Sequence, residues 1–224
     1  MKLIFLGDSL TWGGYGGNFV NEVKTRLPEH DIINAGVGGN TVINLLRRLE
    51  DDVLDHDPDG VFVMVGGNDS ISYTQPATRP YYKKSQKIPG GVVTPEEYAH
   101  TYRELLTRLQ LAHIETWVGL SATEYNPSVV QAKKQYNDLT SDIARSMNIP
   151  VLDFMPYFMP EQITDRPAIN LEYINRIGVR SQSGWNDYET EQREQGYKFT
   201  FDGLHLTPES ARQMATLIVG FLNL

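Results

Sequence analysis

Ser9, Asp202 and His205 have the types and spacing of a nucleophile, an orienting acid and a base. A serine hydroxyl is a weak nucleophile and needs an adjacent base to accept its proton. Histidine suits that task because its ordinary pKa lies near neutrality. Asp202 stands three residues before His205, so within one tight turn its carboxylate could orient the imidazole. Attack on a carbonyl creates an oxyanion, which needs donors aimed at it where water is scarce. The N–H of Ser9, the N–H of Gly39 and the side-chain amide of Asn68 could converge as those donors. Glycine at 39 would let backbone approach a ligand closely, since no Cβ intervenes.

Each residue also has a plainer reading. Ser9 could cap a turn or a helix, and His205 could be a core histidine against the last helix. Asp8 is tempting as a catalytic acid but reads better as bonding to backbone in the turn that presents Ser9. Asp69 is read the same way. An Asp–His pair could bind metal, yet no third and fourth ligand follow at suitable spacing, so no metal is expected. His30, His56, His100 and His113 lack any partner pattern and read as solvated.

These residues must be carried by elements that bring distant segments together. Apolar runs of strand length at 2–6, 31–36, 60–67, 115–120 and 149–154 alternate with helical periods at 18–27, 41–54, 94–112, 129–147 and 207–222. The helices at 94–112 and 207–222 both open Thr-Pro-Glu, with a capping threonine before a proline in the first turn. Strict alternation predicts an α/β fold with a central parallel sheet of about five strands between layers of helices. Ligands in such sheets sit beyond the carboxyl ends of the strands. Three strand exits carry the chemistry: Gly7-Asp8-Ser9-Leu10, Asn34 to Thr41, and Gly66-Gly67-Asn68-Asp69. Asp202-Gly203-Leu204-His205 stands just before the last helix.

Bulk composition narrows the function. The chain has 224 residues, 40% hydrophobic, with a formal net charge of -8, which argues against nucleic acid or an anionic membrane as partner. With no cysteine, thiolate nucleophiles and disulfides are excluded. No apolar stretch approaches membrane-spanning length. The first residues are too short for a signal-peptide core, so a cytoplasmic location is expected if the chain is the full gene product. The glycines at 13, 14, 16 and 17 are followed by no Gly-Lys-Ser/Thr, so nucleotide binding by that route is rejected and a flexible rim beside Ser9 is expected.

Taken together, the four segments resemble the blocks of the GDSL esterases and lipases, the SGNH hydrolases. Gly7-Asp8-Ser9-Leu10 matches the nucleophile block, and Gly39 matches the oxyanion glycine of the second. Asn68 in Gly66-Gly67-Asn68-Asp69 matches the oxyanion asparagine, and Asp202-Gly203-Leu204-His205 matches the last block. The resemblance covers roughly residues 1–69 and 201–224, with the strands between. Gly38 stands where the family often has serine, and Asn40 where an acid is common. The resemblance implies one SGNH hydrolase domain over 1–224, a three-layer α/β/α sandwich of flavodoxin-like strand order. It also implies a serine esterase with Ser9, Asp202 and His205 as catalytic residues. Ser9, Gly39 and Asn68 would form the oxyanion hole, and no cofactor would be needed. Small soluble esters, including acetylated carbohydrates, are the expected substrates. A lipase or thioesterase, an acyltransferase on the same triad, and a catalytically silent binding module are the competing readings.

Two inserts, about 70–93 and 155–200, fall outside the resemblance. The first carries "RPYYKKSQK" at 79–87, four positive charges without an acid, read as a solvated loop or as a rim attracting an anionic group. The second is rich in aromatics: Tyr157, Phe158, Tyr173, Trp185, Tyr188, Tyr197 and Phe199. They could line a pocket, pack the insert down, or pair two copies as a homo-oligomer.

Overall fold

A computed structural model describes residues 1–224. Five strands form one all-parallel sheet: β1 (Lys2–Gly7), β2 (Asp31–Gly36), β3 (Gly60–Met64), β4 (Glu115–Leu120) and β5 (Val151–Asp153). Their order is β2-β1-β3-β4-β5. The helices are α1 (Ser9–Trp12), α2 (Phe19–Arg26), α3 (Val42–Arg47), α4 (Leu49–Asp52), α5 (Gly67–Thr74) and α6 (Arg79–Lys84), and then α7 (Pro95–Leu111) and α8 (Pro127–Ser146). They continue with α9 (Met155–Phe158), α10 (Leu171–Ser183), α11 (Tyr188–Gln195) and α12 (Pro208–Leu222).

The strands are apolar on successive residues because both faces are covered. Ile4 and Leu6 of β1 join Val61 and Val63 of β3 on one face, under α3, α7 and α8. Leu3 and Phe5 join Phe62 and Met64 on the other, under α2 and α12. The three-layer α/β/α arrangement follows, with a hydrophobic cluster on each side of the sheet. Thr94 and Thr207 accept the backbone N–H of Glu97 and Ser210, so the two Thr-Pro-Glu starts form as the sequence predicts.

Three expectations are revised. The helical period at 41–54 is broken at Arg48, whose side chain turns back to donate to the Gly7 carbonyl and to Asn40 Oδ1. The 70–93 insert begins inside α5 and carries α6, and the second insert carries α10 and α11. The glycines at 13–17 form no open rim. Gly17 donates to the Leu206 carbonyl, and a Cβ at Gly16 would lie 2.6 Å from that same oxygen. Glycine there lets the α1–α2 connection pack on the backbone beside His205.

The chain leaves β1 towards β2 on one side and returns to β3 on the other. The β1 and β3 exits therefore face a crevice at the point where strand order reverses, the favoured ligand position in open sheets. Ser9 follows β1 and Asn68 follows β3.

Candidate active site

The turn that carries Ser9 is built by its neighbours. Asp8 is the N-cap of α1, and its Oδ1 accepts the N–H of Leu10 at 3.0 Å. Gly7 is packed so tightly that a Cβ would lie 2.1 Å from Thr11 Oγ1 and 2.5 Å from the Met64 carbonyl. The strand can therefore turn straight into α1 and present the Ser9 hydroxyl at its first residue.

His205 reaches Ser9 from the opposite end of the chain. Its Nε2 lies 3.0 Å from Ser9 Oγ, and its Nδ1 lies 2.8 Å from Asp202 Oδ2. The other Asp202 oxygen accepts the backbone N–H of Leu204 at 3.0 Å and of His205 at 2.8 Å. Gly203 closes this turn at a φ of 90°, where a Cβ would lie 2.7 Å from the Tyr125 ring and from Tyr197 Oη. An ionised Asp202 fixes the proton on Nδ1 and leaves Nε2 to accept from serine. Burial disfavours charge on Asp202, but the facing His205 and three hydrogen bonds hold its carboxyl below the ordinary carboxylate value. Burial likewise pulls His205 down, and Asp202 outweighs it, so the imidazole ends above its ordinary value. The edge of Tyr15 packs on the His205 ring, 5.1 Å between centroids.

Asn68 lies in the first turn of α5. Its Nδ2 donates to the Asn40 carbonyl at 3.0 Å, and its Oδ1 accepts from the Tyr82 hydroxyl at 2.9 Å. These bonds fix which end of the amide is nitrogen and leave one Nδ2 hydrogen for the cavity. The N–H of Gly39 donates to no protein acceptor. Its φ is 79°, and a Cβ would lie 2.1 Å from Tyr81 Oη, so only glycine fits. Asp69 Oδ1 accepts the N–H of Val42 at 3.0 Å, tying the Asn68 helix to the segment after Gly39. Asp8 and Asp69 thus both bond to backbone, as their sequence context suggests.

Ser9, Gly39, Asn68 and His205 line one cavity of about 230 Å³. Ile71, Val129, Ile169, Ile174 and Ile177 give it an aliphatic wall, and Trp12 stands at its rim, 40% exposed. The arrangement can deprotonate a hydroxyl, hold a developing oxyanion and take an acyl group. No group of three or more His, Asp or Glu side chains is placed to hold a metal ion.

The chain matches the sequence model of the GDSL-like lipase/acylhydrolase family over residues 5–213. It belongs to that family. The chain is a carboxylic ester hydrolase of the GDSL type. Among its relatives, an acetylxylan esterase of Geobacillus stearothermophilus is 38% identical over 189 residues, covering 75% of this chain and 82% of that protein. The uncharacterized lipoprotein YqeF of Bacillus subtilis is 28% identical over 198 residues, covering 79% and 81%. In fold, the chain is similar to the solved structure of Axe2, an acetylxylan esterase from Geobacillus stearothermophilus, with a TM-score of 0.68 at 20% identity. That match covers 100% of this chain and 94% of the other. No helix of this hydrolase is long and apolar enough to cross a membrane.

The sequence missed the supports. Tyr82 sits in the stretch 79–87, which the sequence marks by its charge. Lys83, Lys84 and Lys87 are exposed, while Arg79 donates to the Ser72 and Tyr73 carbonyls at the end of α5. Its neutral residues reach the site instead: Tyr82 holds Asn68, and Gln86 donates to the Gly38 carbonyl. Of the aromatics in the second insert, Tyr173 lines the cavity and donates to the Asp202 carbonyl at 2.6 Å. Trp185 and Tyr188 pack around Tyr15 and Phe201, and Phe199 packs on Phe158.

Proposed function

We propose that the protein cleaves small esters, acetylated carbohydrates among them, through a covalent acyl-Ser9 intermediate. The observation that carries this reading is the unbroken hydrogen-bond chain from Asp202 through His205 to Ser9 at the cavity shared with Gly39 and Asn68. Ser9 Oγ attacks the carbonyl carbon while His205 Nε2 takes its proton. The oxyanion is held by the N–H groups of Ser9 and Gly39 and by the Asn68 amide. His205 then protonates the departing alcohol and afterwards activates water to release the acid. The sugar-ester assignment draws on the acetylxylan esterase relative, on the modest cavity of about 230 Å³ and on the exposed indole of Trp12 at its rim. Its test is hydrolysis of p-nitrophenyl acetate, butyrate and octanoate beside acetylated xylo-oligosaccharides. Preference for the acetyl esters fits the reading; preference for octanoate with inert sugar esters contradicts it.

Two further outcomes follow. Asn68→Ala removes one oxyanion donor and should lower kcat about a hundred-fold, about 2.7 kcal/mol of transition-state stabilisation. An unchanged kcat in the folded variant would take Asn68 out of the oxyanion hole. The base must be neutral to act, and His205 is held above the ordinary 6.5. Activity should therefore climb with pH along a limb centred above that value. A pH–rate profile with full activity well below it would contradict His205 as the base.

A further inference from the structure

Lys133 of α8 is 2% exposed, yet its Nζ has no hydrogen-bond partner and forms no direct ion pair. A buried, unpaired ammonium is expensive, so something nearby must compensate it. Two carboxylates, Asp8 and Asp69, act on it through space. A Cβ on Gly66 would lie 3.4 Å from Lys133 Nζ, and a Cβ on the next residue, Gly67, would lie 3.7 Å from Asp8 Oδ2. The ammonium and the Asp8 carboxylate thus meet the same dipeptide where β3 turns into α5. Asp69, fully buried on α5, leaves Oδ2 without a partner while its Oδ1 holds Val42. The other titratable groups facing this cluster are Tyr82 of α6, Tyr98 and Tyr102 of α7, Tyr136 of α8 and, across the site, His205. Burial raises all four phenols above their ordinary value, so they stay neutral. Lys133 is the one cation facing two carboxylates.

We propose that Lys133 is a positioning residue of the esterase site, a single buried ammonium whose charge balances, without direct contact, Asp8 of the Ser9 turn and Asp69 of the Asn68 helix. Asp8 caps the helix that begins with Ser9, and Asp69 adjoins Asn68 and anchors the segment after Gly39. One cation therefore neutralises the anchors of both the nucleophile and the oxyanion donors. Burial pushes Asp69 up to about 7 and Lys133 down to about 8, each opposed by the attraction between them. Asp8 also acts on His205, raising it. Removing the ammonium has one sign by either route: the carboxylates take up protons at higher pH, or the uncompensated Asp8 charge raises His205. The positioning role needs the anchors ionised, so the first raises the acid limb through the carboxylates and the second raises it through the imidazole.

This inference rests on Ser9 being the nucleophile, so Ser9→Ala is run beside each variant. Turnover of p-nitrophenyl acetate that survives in Ser9→Ala ends the esterase mechanism itself, whatever Lys133 does. With Ser9-dependent turnover established, Lys133→Met should lower kcat about tenfold or more, with KM within about twofold. The acid limb should rise by about one pH unit. Adding Asp69→Asn removes one charge of each sign and should restore part of the activity and of the limb, because Asn can still accept from Val42. Should Lys133→Met fail to fold, the double variant becomes the test: folded, Ser9-dependent turnover supports the inference. A wild-type profile in Lys133→Met overturns it. So do losses that are merely additive with Asp69→Asn, or a double variant that is as unfolded as the single.

Discussion

Ser9→Ala should lower ester turnover about a thousand-fold or more while leaving the fold intact. The fold survives because the helix cap is the Asp8 carboxylate, not the Ser9 hydroxyl, and alanine is favourable at the first residue of α1. His205 loses one contact at Nε2 and keeps Asp202 at Nδ1. What disappears is the only atom positioned both against the imidazole and within reach of a carbonyl held by Gly39 and Asn68. The remaining donors still bind and polarise an ester, so a small residual rate over water is expected. Near-normal kcat in a folded Ser9→Ala protein would remove the covalent mechanism.

Asp202→Asn should have the next largest effect, about a thousand- to ten-thousand-fold in kcat. The change is isosteric, and the asparagine oxygen can still accept the N–H groups of Leu204 and His205. The altered contact is at the other end. An amide donates where the carboxylate accepted, so Nδ1 must become the acceptor and the proton moves to Nε2. Nε2 then has no lone pair for the serine proton. Without the anion beside it, His205 also falls back, and the acid limb of the residual activity should shift to lower pH. Melting temperature and kcat measured together separate this from a structural role. If activity falls only in proportion to unfolding, Asp202 serves the turn and not the imidazole.

The framework could be read because its signals are local. β1, β2 and β4 are apolar runs that stop at turns, and α7 and α12 announce themselves with Thr-Pro-Glu. The five candidate residues stand out in the sequence because three strand exits and the segment before α12 each carry an unusual residue. What could not be read is held across long separations. Arg48 breaks its helix to reach Gly7, 41 residues back, and no periodicity records that. Tyr82 positions Asn68 from inside a stretch whose charges draw attention away from it. Lys133 reads as an ordinary lysine in "VVQAKKQY", beside Lys134, which is exposed, while Lys133 is buried. The glycines at 13–17 pack where a flexible rim was expected, because tight packing and freedom use the same residue. The second insert shows the same limit: its aromatics are plain, but which of them meets the cavity depends on how α10 faces α5 and α8 across it.

Capture of the acylated enzyme tests the central claim most directly. The wild-type protein is mixed with p-nitrophenyl acetate, quenched in acid within the first turnovers, and its intact mass and peptides are measured. One acetyl group on the peptide containing Ser9, absent from Ser9→Ala, is the predicted result. Rapid ester turnover with no acetyl on Ser9, or with the acetyl on another residue, would contradict it.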